Sequence, residues 1–185
     1  GGANGCTITK AHVERNGQWG VHLGDVDTNY VLHSYATRNA SHGFSIRAGS
    51  TYNLFTGDTS YWNVEAGFQI DDDATDGNVL TGCRSDSNEK DGFKISGGDM
   101  NSLTSCRADT NFWAAYSIVS GASANVLTSN TTRFNQGQGV YIDGVGTEGN
   151  TVTGTVIDTP TSDAVYVTSP LNVFRSNLLT CIISI

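Results

Sequence analysis

Three side chains in this sequence, Arg47, Asp71 and Lys94, follow one another at intervals of 24 and 23 residues and could together move a proton. A cationic group neutralises a substrate carboxylate, and an Arg or Lys whose pKa is lowered by a cationic neighbour can act as a base. The same trio also reads as an exposed ion-pair ladder of little energetic weight. From Asp71 onward the chain runs Asp71-Asp72-Asp73-Ala74-Thr75-Asp76, four carboxylates in six residues. Asp71, Asp72, Asp73 and Asp76 could supply oxygen ligands to calcium, or a carboxylate pair for glycosidic hydrolysis. A solvated acidic loop has the same composition, and the EF-hand and glycine-rich calcium-roll spacings are absent.

Aromatic side chains give a second kind of candidate. Tyr141 and Tyr166 lie 25 residues apart, with Asp143 two places after the first. Rings that stand outward are platforms for sugar faces. His22 and Gln69 share the spacing of the tyrosines, so we take His22, Gln69, Tyr141, Asp143 and Tyr166 as candidate substrate-binding residues. Tyr61, Trp62, Phe112, Trp113 and Phe134 form another aromatic group, for which an interface or packing role is the simpler expectation.

What must position these residues is a repeat. Asn29, Asn53, Asn78, Asn101, Asn125, Asn150 and Asn172 recur with gaps of 24, 25, 23, 24, 25 and 22 residues. A second column, Asn39, Asn63, Asn88, Asn111 and Asn135, follows the first five by ten residues, and Asn16 extends it upstream. After each second asparagine comes a small residue and then an apolar, outward, apolar triplet, as in Gly43-Phe44-Ser45-Ile46 and Gly92-Phe93-Lys94-Ile95. Alternation of period two with Gly and Asn at corners predicts short strands, and a self-similar unit of this length predicts a solenoid whose coils bury one another. Coils then stack in register at about 4.8 Å, and equivalent residues form columns. The asparagines are expected at corners, tolerating left-handed backbone angles and exchanging amide hydrogen bonds from coil to coil. Register places His22, Ser45, Gln69, Lys94, Ser117, Tyr141 and Tyr166 in one outward column. Arg47, Asp71 and Asp143 fall in the column beside it.

Blocks such as Asn78-Val79-Leu80-Thr81-Gly82-Cys83, followed by Asn88-Glu89-Lys90-Asp91-Gly92-Phe93-Lys94-Ile95, resemble the coils of the right-handed parallel β-helix superfamily. It includes pectate lyases, mannuronan epimerases and phage tailspikes. The resemblance spans roughly Ile8 to Ser176 and implies an all-β, single-stranded right-handed parallel β-helix of about seven to eight coils of 22–25 residues. A fold of this kind does not by itself set an activity. The lyases and epimerases that act on acidic sugars imply catalytic roles for Arg47, Asp71 and Lys94, neutralising a carboxylate and removing the adjacent proton. The tailspikes imply a polysaccharide partner, a homotrimer, and an extracellular, cell-surface or virion location. His42-Gly43-Phe44 is similar to blocks of the epimerase repeats, but the Tyr-Gly-x-Asp-Pro-His motif of that family is missing. We therefore expect a carbohydrate-directed domain that binds polysaccharide, with a lyase, epimerase or hydrolase as the alternative.

Composition excludes some other classes. The 185 residues carry a net charge of −8 with ten Lys and Arg, which is not the electrostatic footprint of a nucleic-acid binder. No apolar stretch is long enough to span a membrane. Cys83 and Cys106 occupy one column, 23 residues apart, which predicts a buried pair of thiols, with a disulfide between stacked neighbours as the alternative; none of the four cysteines shows a metal-binding spacing. Residues 1–185 read as one domain. Because Gly1-Gly2-Ala3 leads almost directly into the first coil, where a solenoid end carries a cap, we expect a section of a longer protein.

Overall fold

The structure, a computed structural model, describes residues 3–158 and 162–180. Every regular element among them is a short strand, and the strands form three parallel sheets that run the length of the molecule. The first sheet stacks strands that follow the first asparagine column, among them Leu54–Thr56, Val79–Thr81 and Ser102–Thr104. The second contains Thr59–Tyr61, Arg84–Asp86 and Arg107–Asp109. The third contains Phe44–Arg47, Phe68–Asp71, Phe93–Ser96, Tyr116–Val119 and Val140–Asp143. The described strands number eight, eight and seven, and each pairs only with its equivalents one coil away. The result is a β-solenoid of about seven turns, as the repeat predicts. No helix is long and apolar enough to cross a membrane among the described residues.

Each coil turns three corners, and two of them share one device. Asn78 accepts at Oδ1 both the backbone N–H of Asn53, at 2.9 Å, and its Nδ2, at 3.0 Å. Its own Nδ2 donates to the Ser50 carbonyl at 3.0 Å and to Asn101 Oδ1 at 3.2 Å. One amide thus ties three successive coils and satisfies the backbone where the strand ladder is interrupted. The second column repeats this at Asn63, Asn88 and Asn111.

Left-handed backbone angles do not fall on the asparagines as expected, but on the residue before each one. Tyr52, Gly77 and Met100 precede the first column, and Trp62, Ser87, Thr110 and Phe134 the second, all at positive φ. The reason is geometric. The turn must be completed one residue earlier so that the asparagine's N–H and amide both point along the stack at the next Oδ1.

A third ladder occupies the corner between the first and second sheets, in the column that holds Cys83 and Cys106. Asn130 Oδ1 accepts the Cys106 N–H at 2.8 Å and its Nδ2 donates to the Leu103 carbonyl at 2.9 Å. Asp58 takes the same rung higher up, accepting the Ser34 N–H at 2.7 Å. Between them, Cys83 and Cys106 are free, buried thiols. Burial drives the Cys83 thiol well above its ordinary pKa, so it is unreactive as a nucleophile. Cys181 lies outside the described residues.

Inside the coils, Phe44, Phe68, Phe93 and Tyr116 stack face to face at 4.7, 4.8 and 5.2 Å between ring centroids. Val31, Phe55, Leu80, Leu103, Leu127 and Val152 line the first sheet's inner side and are buried. The buried Tyr116 hydroxyl donates to the Cys106 carbonyl at 2.9 Å. The small-residue column exists because a Cβ at Gly67 would meet Ser85 Oγ at 2.0 Å, and one at Gly43 would meet Ser60 Oγ at 2.1 Å.

Candidate functional site

The third sheet places the candidate residues. Its register aligns His22, Ser45, Gln69, Lys94, Ser117, Tyr141 and Tyr166 in one column, and Arg47, Asp71, Ser96, Val119 and Asp143 lie beside it. Ser45, Gln69 and Ser117 point away from the core, yet they are only 1%, 4% and 5% exposed. The outer face of this sheet is therefore recessed at these positions, while His22 and Tyr166 at its ends are exposed. Six strand spacings give it a length of about 29 Å.

The trio Arg47, Asp71 and Lys94 separates into two groups. Arg47 reaches Asp71 at 2.9 Å and Asp72 at 3.9 Å, so its charge is already compensated. Lys94 forms no ion pair among the described residues. It stands instead at a groove of about 520 Å³ that cuts across the sheet. The groove arises because Ala114 and Ser117, in one coil, are small. Lys94 and Asp91 bound it in the coil before, and Tyr141, Gln138 and Gly137 in the coil after, while Phe112 and Trp113 form an aromatic wall at the corner.

Asp91 is a groove residue that sequence reasoning did not select. It is 5% exposed, and burial raises its carboxyl to about pH 6, with Lys94 and the Ala114 N–H opposing the rise. Its slot, just before the small residue of the third strand, is filled by Ala66 in the preceding coil and Ala114 in the following one. A charge in a slot with alanine on both sides is a signal visible in the aligned repeat.

Two histidines also face this surface. Burial lowers His42 to about 4, and its Nδ1 accepts the Ala66 N–H at 3.1 Å, so the ring is neutral with its proton on Nε2. His22 stacks on Trp19 with centroids 4.3 Å apart, its Nδ1 lies 3.3 Å from Ser45 Oγ, and burial lowers its pKa. Gln69 Oε1 is buried without a hydrogen-bond partner among the described residues.

Tyr141 and Tyr166 stack on each other, with centroids 5.2 Å apart and planes 6° from parallel. The spacing is close to the strand repeat, so the ring faces are turned along the solenoid axis and only their edges look outward. A continuous apolar stripe, the expectation from the column alone, is therefore not what the pair presents. The free face of Tyr141 is turned toward the small Ser117 and becomes a wall of the groove. Its hydroxyl donates to Asp143 at 2.8 Å, which pushes the phenol up to about 12, and Thr168 bonds the same carboxylate. Asp143 is correspondingly held below the usual carboxylate range.

The acidic loop does not assemble a ligand set. Asp71 is paired with Arg47, Asp72 accepts the Ala48 N–H at 2.8 Å, and Asp76 accepts the Asp99 N–H at 2.8 Å. Among the described residues no group of three or more His, Cys, Asp or Glu is placed to hold a metal ion. Asp72 and Asp76 cap backbone N–H groups of neighbouring coils and Asp71 ends a strand, so the carboxylates are spread along the turn rather than convergent. The corner aromatics likewise divide. Trp62 packs with Tyr61 at 5.1 Å beneath the Arg38 guanidinium, two coils from the Phe112 and Trp113 wall.

The chain belongs to the right handed beta helix region family, whose sequence model matches residues 1–132 and 55–179. No curated protein sequence matches it. Among solved structures it is similar to the A-module of the Azotobacter vinelandii mannuronan C-5 epimerase AlgE4, with a TM-score of 0.84 at 14% identity, covering 94% of this chain and 53% of that one. Pectate lyase Pel9A gives a TM-score of 0.73 at 18% identity over 97% of this chain and 54% of the other. A mutant tailspike protein of E. coli bacteriophage HK620, in complex with a pentasaccharide, gives 0.74 at 11% identity over 96% and 39%. At these identities the likeness shows the fold, and the chain spans about half the length of the structures it matches.

Proposed function

We propose that the recessed third-sheet face is a carbohydrate-binding surface and that the groove between Lys94 and Tyr141 is its principal contact. One observation carries this: two exposed aromatic side chains, Phe112 and Trp113, wall a groove whose other sides hold a carboxylate, an ammonium and side-chain amides. Sugar rings have apolar C–H faces and polar edges, and such sites combine aromatic contact with a few placed polar groups. Supporting the reading, the similar structures bear the names of a mannuronan epimerase, a pectate lyase and a pentasaccharide-bound tailspike. A secreted, cell-surface or virion protein would use the face in this way. The test is a titration of polysaccharide fragments into the wild type and Trp113→Ala. Fragments that bind the first should bind the second about tenfold or more weakly, and unchanged affinity would move the site elsewhere.

A catalytic reading, as a lyase, epimerase or hydrolase, is favoured by the position of Asp91 beside Lys94, with burial raising its carboxyl to about 6. Formation of shortened, unsaturated or C-5-inverted products, lost in Asp91→Asn and Lys94→Ala with the fold intact, is its test. Assembly as a homotrimer belongs to the same proposal. Over the first seven strands of the first sheet, from Thr7 to Thr153, the outer side carries no charged side chain, with Arg175 the first in the eighth, although the chain as a whole has a net charge of −8, and this is the surface that would pack. Sedimentation at several concentrations tests it.

A further inference from the structure

We infer that the groove selects a polysaccharide carrying acetamido groups, an N-acetylated amino sugar, over a uronate or an unsubstituted glucan. The inference rests on the carbohydrate reading of this face and adds the class of sugar.

Charge argues first against a polyanion. Among the residues lining the groove Lys94 faces Asp91, Asp143 stands behind Tyr141, and Arg47 farther along is cancelled by Asp71. A uronate chain would place a carboxylate at every ring beside a face with no excess of cations, in a protein whose net charge is −8. Such a contact costs desolvation without compensating attraction.

The shape and chemistry of the groove then argue for an acetamido group. Asp91 is buried, does not pair with Lys94 in ion-pair contact, and takes an N–H from Ala114, so a donor from a ligand completes it. Lys94 offers a donor to a carbonyl. Between these polar ends, Ala114 leaves room against the ring faces of Phe112 and Trp113, where burial favours a methyl over a hydroxyl. An acetamido substituent carries an N–H, a C=O and a methyl in one rigid plane and satisfies all three. A sugar without it leaves the apolar corner empty, and a uronate brings a second anion to Asp91.

The experiment is a calorimetric titration at neutral pH with three trisaccharides: tri-N-acetylchitotriose, cellotriose and trimannuronate. The N-acetylated probe should bind roughly tenfold or more tightly than cellotriose, and the preference should shrink toward parity in Asp91→Ala with the melting curve retained. Should Asp91→Ala fail to fold, Ser117→Leu fills the groove from an outward column that already accepts Lys94 and Tyr141 in neighbouring coils, and it should abolish the N-acetylated interaction. Binding of cellotriose or trimannuronate as tightly as the N-acetylated probe overturns the inference and leaves the carbohydrate reading standing. Binding of none of the three overturns both.

Discussion

Asp58 Oδ1 accepts the Ser34 backbone N–H at 2.7 Å, on a rung that Asn130 fills further down the same ladder. Where Asn130 uses its second atom to donate to the Leu103 carbonyl, the equivalent Asp58 Oδ2 is buried with no partner. Unless protonated it has nothing to donate.

That difference makes stability depend on pH. Burial raises the Asp58 carboxyl to about 7 against an ordinary value of 3.8, so the fold favours the protonated acid. A raised folded pKa means the contribution is fully present below about pH 4 and is lost as pH rises through about 7. Asp58→Asn restores a neutral donor that can reach the Val31 carbonyl, the counterpart of Leu103. Relative to wild type, the variant should be more stable at pH 8 by on the order of 1–4 kcal/mol and nearly equal at pH 4. Paired urea titrations at the two pH values check this; a difference that does not grow with pH removes the role given to Asp58.

The amide ladder itself should be costly to break. Asn101 accepts the Asn78 N–H at 2.8 Å and its Nδ2 at 3.2 Å, and donates to the Thr75 carbonyl at 3.1 Å, all buried. Asn101→Leu strands these groups and should destabilise by on the order of 3–5 kcal/mol. Asn4→Leu, at an exposed site that accepts one N–H from Asp27, should cost well under half as much. Thermal melts of the two variants would show the contrast, and equal melting temperatures would be incompatible with the ladder's energetic role.

How legible all this was depends on where each feature's cause lies. Both asparagine columns could be read because every rung recurs in the sequence with the same residue, and the third-sheet strands because the same alternation of apolar and outward residues follows each second asparagine. Of the third ladder only the column shared by Cys83 and Cys106 was recognisable, since one slot accepts Ser34, Asp58, Cys83, Cys106 and Asn130, whose common feature is a backbone N–H to be satisfied. The positive φ one residue before each asparagine left little trace, because Tyr52, Met100, Trp62 and Phe134 adopt it without being glycine. Asp91 stands out in the aligned repeat as a charge between two alanines, but its raised pKa does not. Its pKa is raised by burial, against Lys94 and the Ala114 N–H, and burial is a property of the assembled coil.

The Arg47–Asp71 pair should matter little to stability. Both side chains are partly exposed, 36% and 26%, and the contact is a surface one. Arg47→Ala should lower stability by no more than about 1 kcal/mol, and less in high salt. Because Arg47 lies outside the groove, oligosaccharide affinity should be unchanged. A loss of binding in this variant, with the melt unaltered, would extend the contact surface toward the Arg47 end of the sheet.

The tyrosine stack distinguishes two directions for a bound chain. If a glycan lay along the solenoid axis it would touch the edges of both Tyr141 and Tyr166, and removing either ring should weaken binding alike. The face-to-face geometry at 5.2 Å points the other way. Tyr141 turns its free face into the groove above Ser117, whereas Tyr166 only backs it, so a chain lying across the sheet touches Tyr141 alone. Tyr141→Ala should therefore weaken oligosaccharide binding by roughly 1–2 kcal/mol. Tyr166→Ala should cost only the few tenths that come from a less firmly held Tyr141. Titration of the same oligosaccharide into both single variants and the double variant decides between the orientations. Equal losses in the single variants that add in the double would place the chain along the axis, whereas a loss confined to Tyr141→Ala places it in the groove, between that ring and the wall made by Phe112 and Trp113.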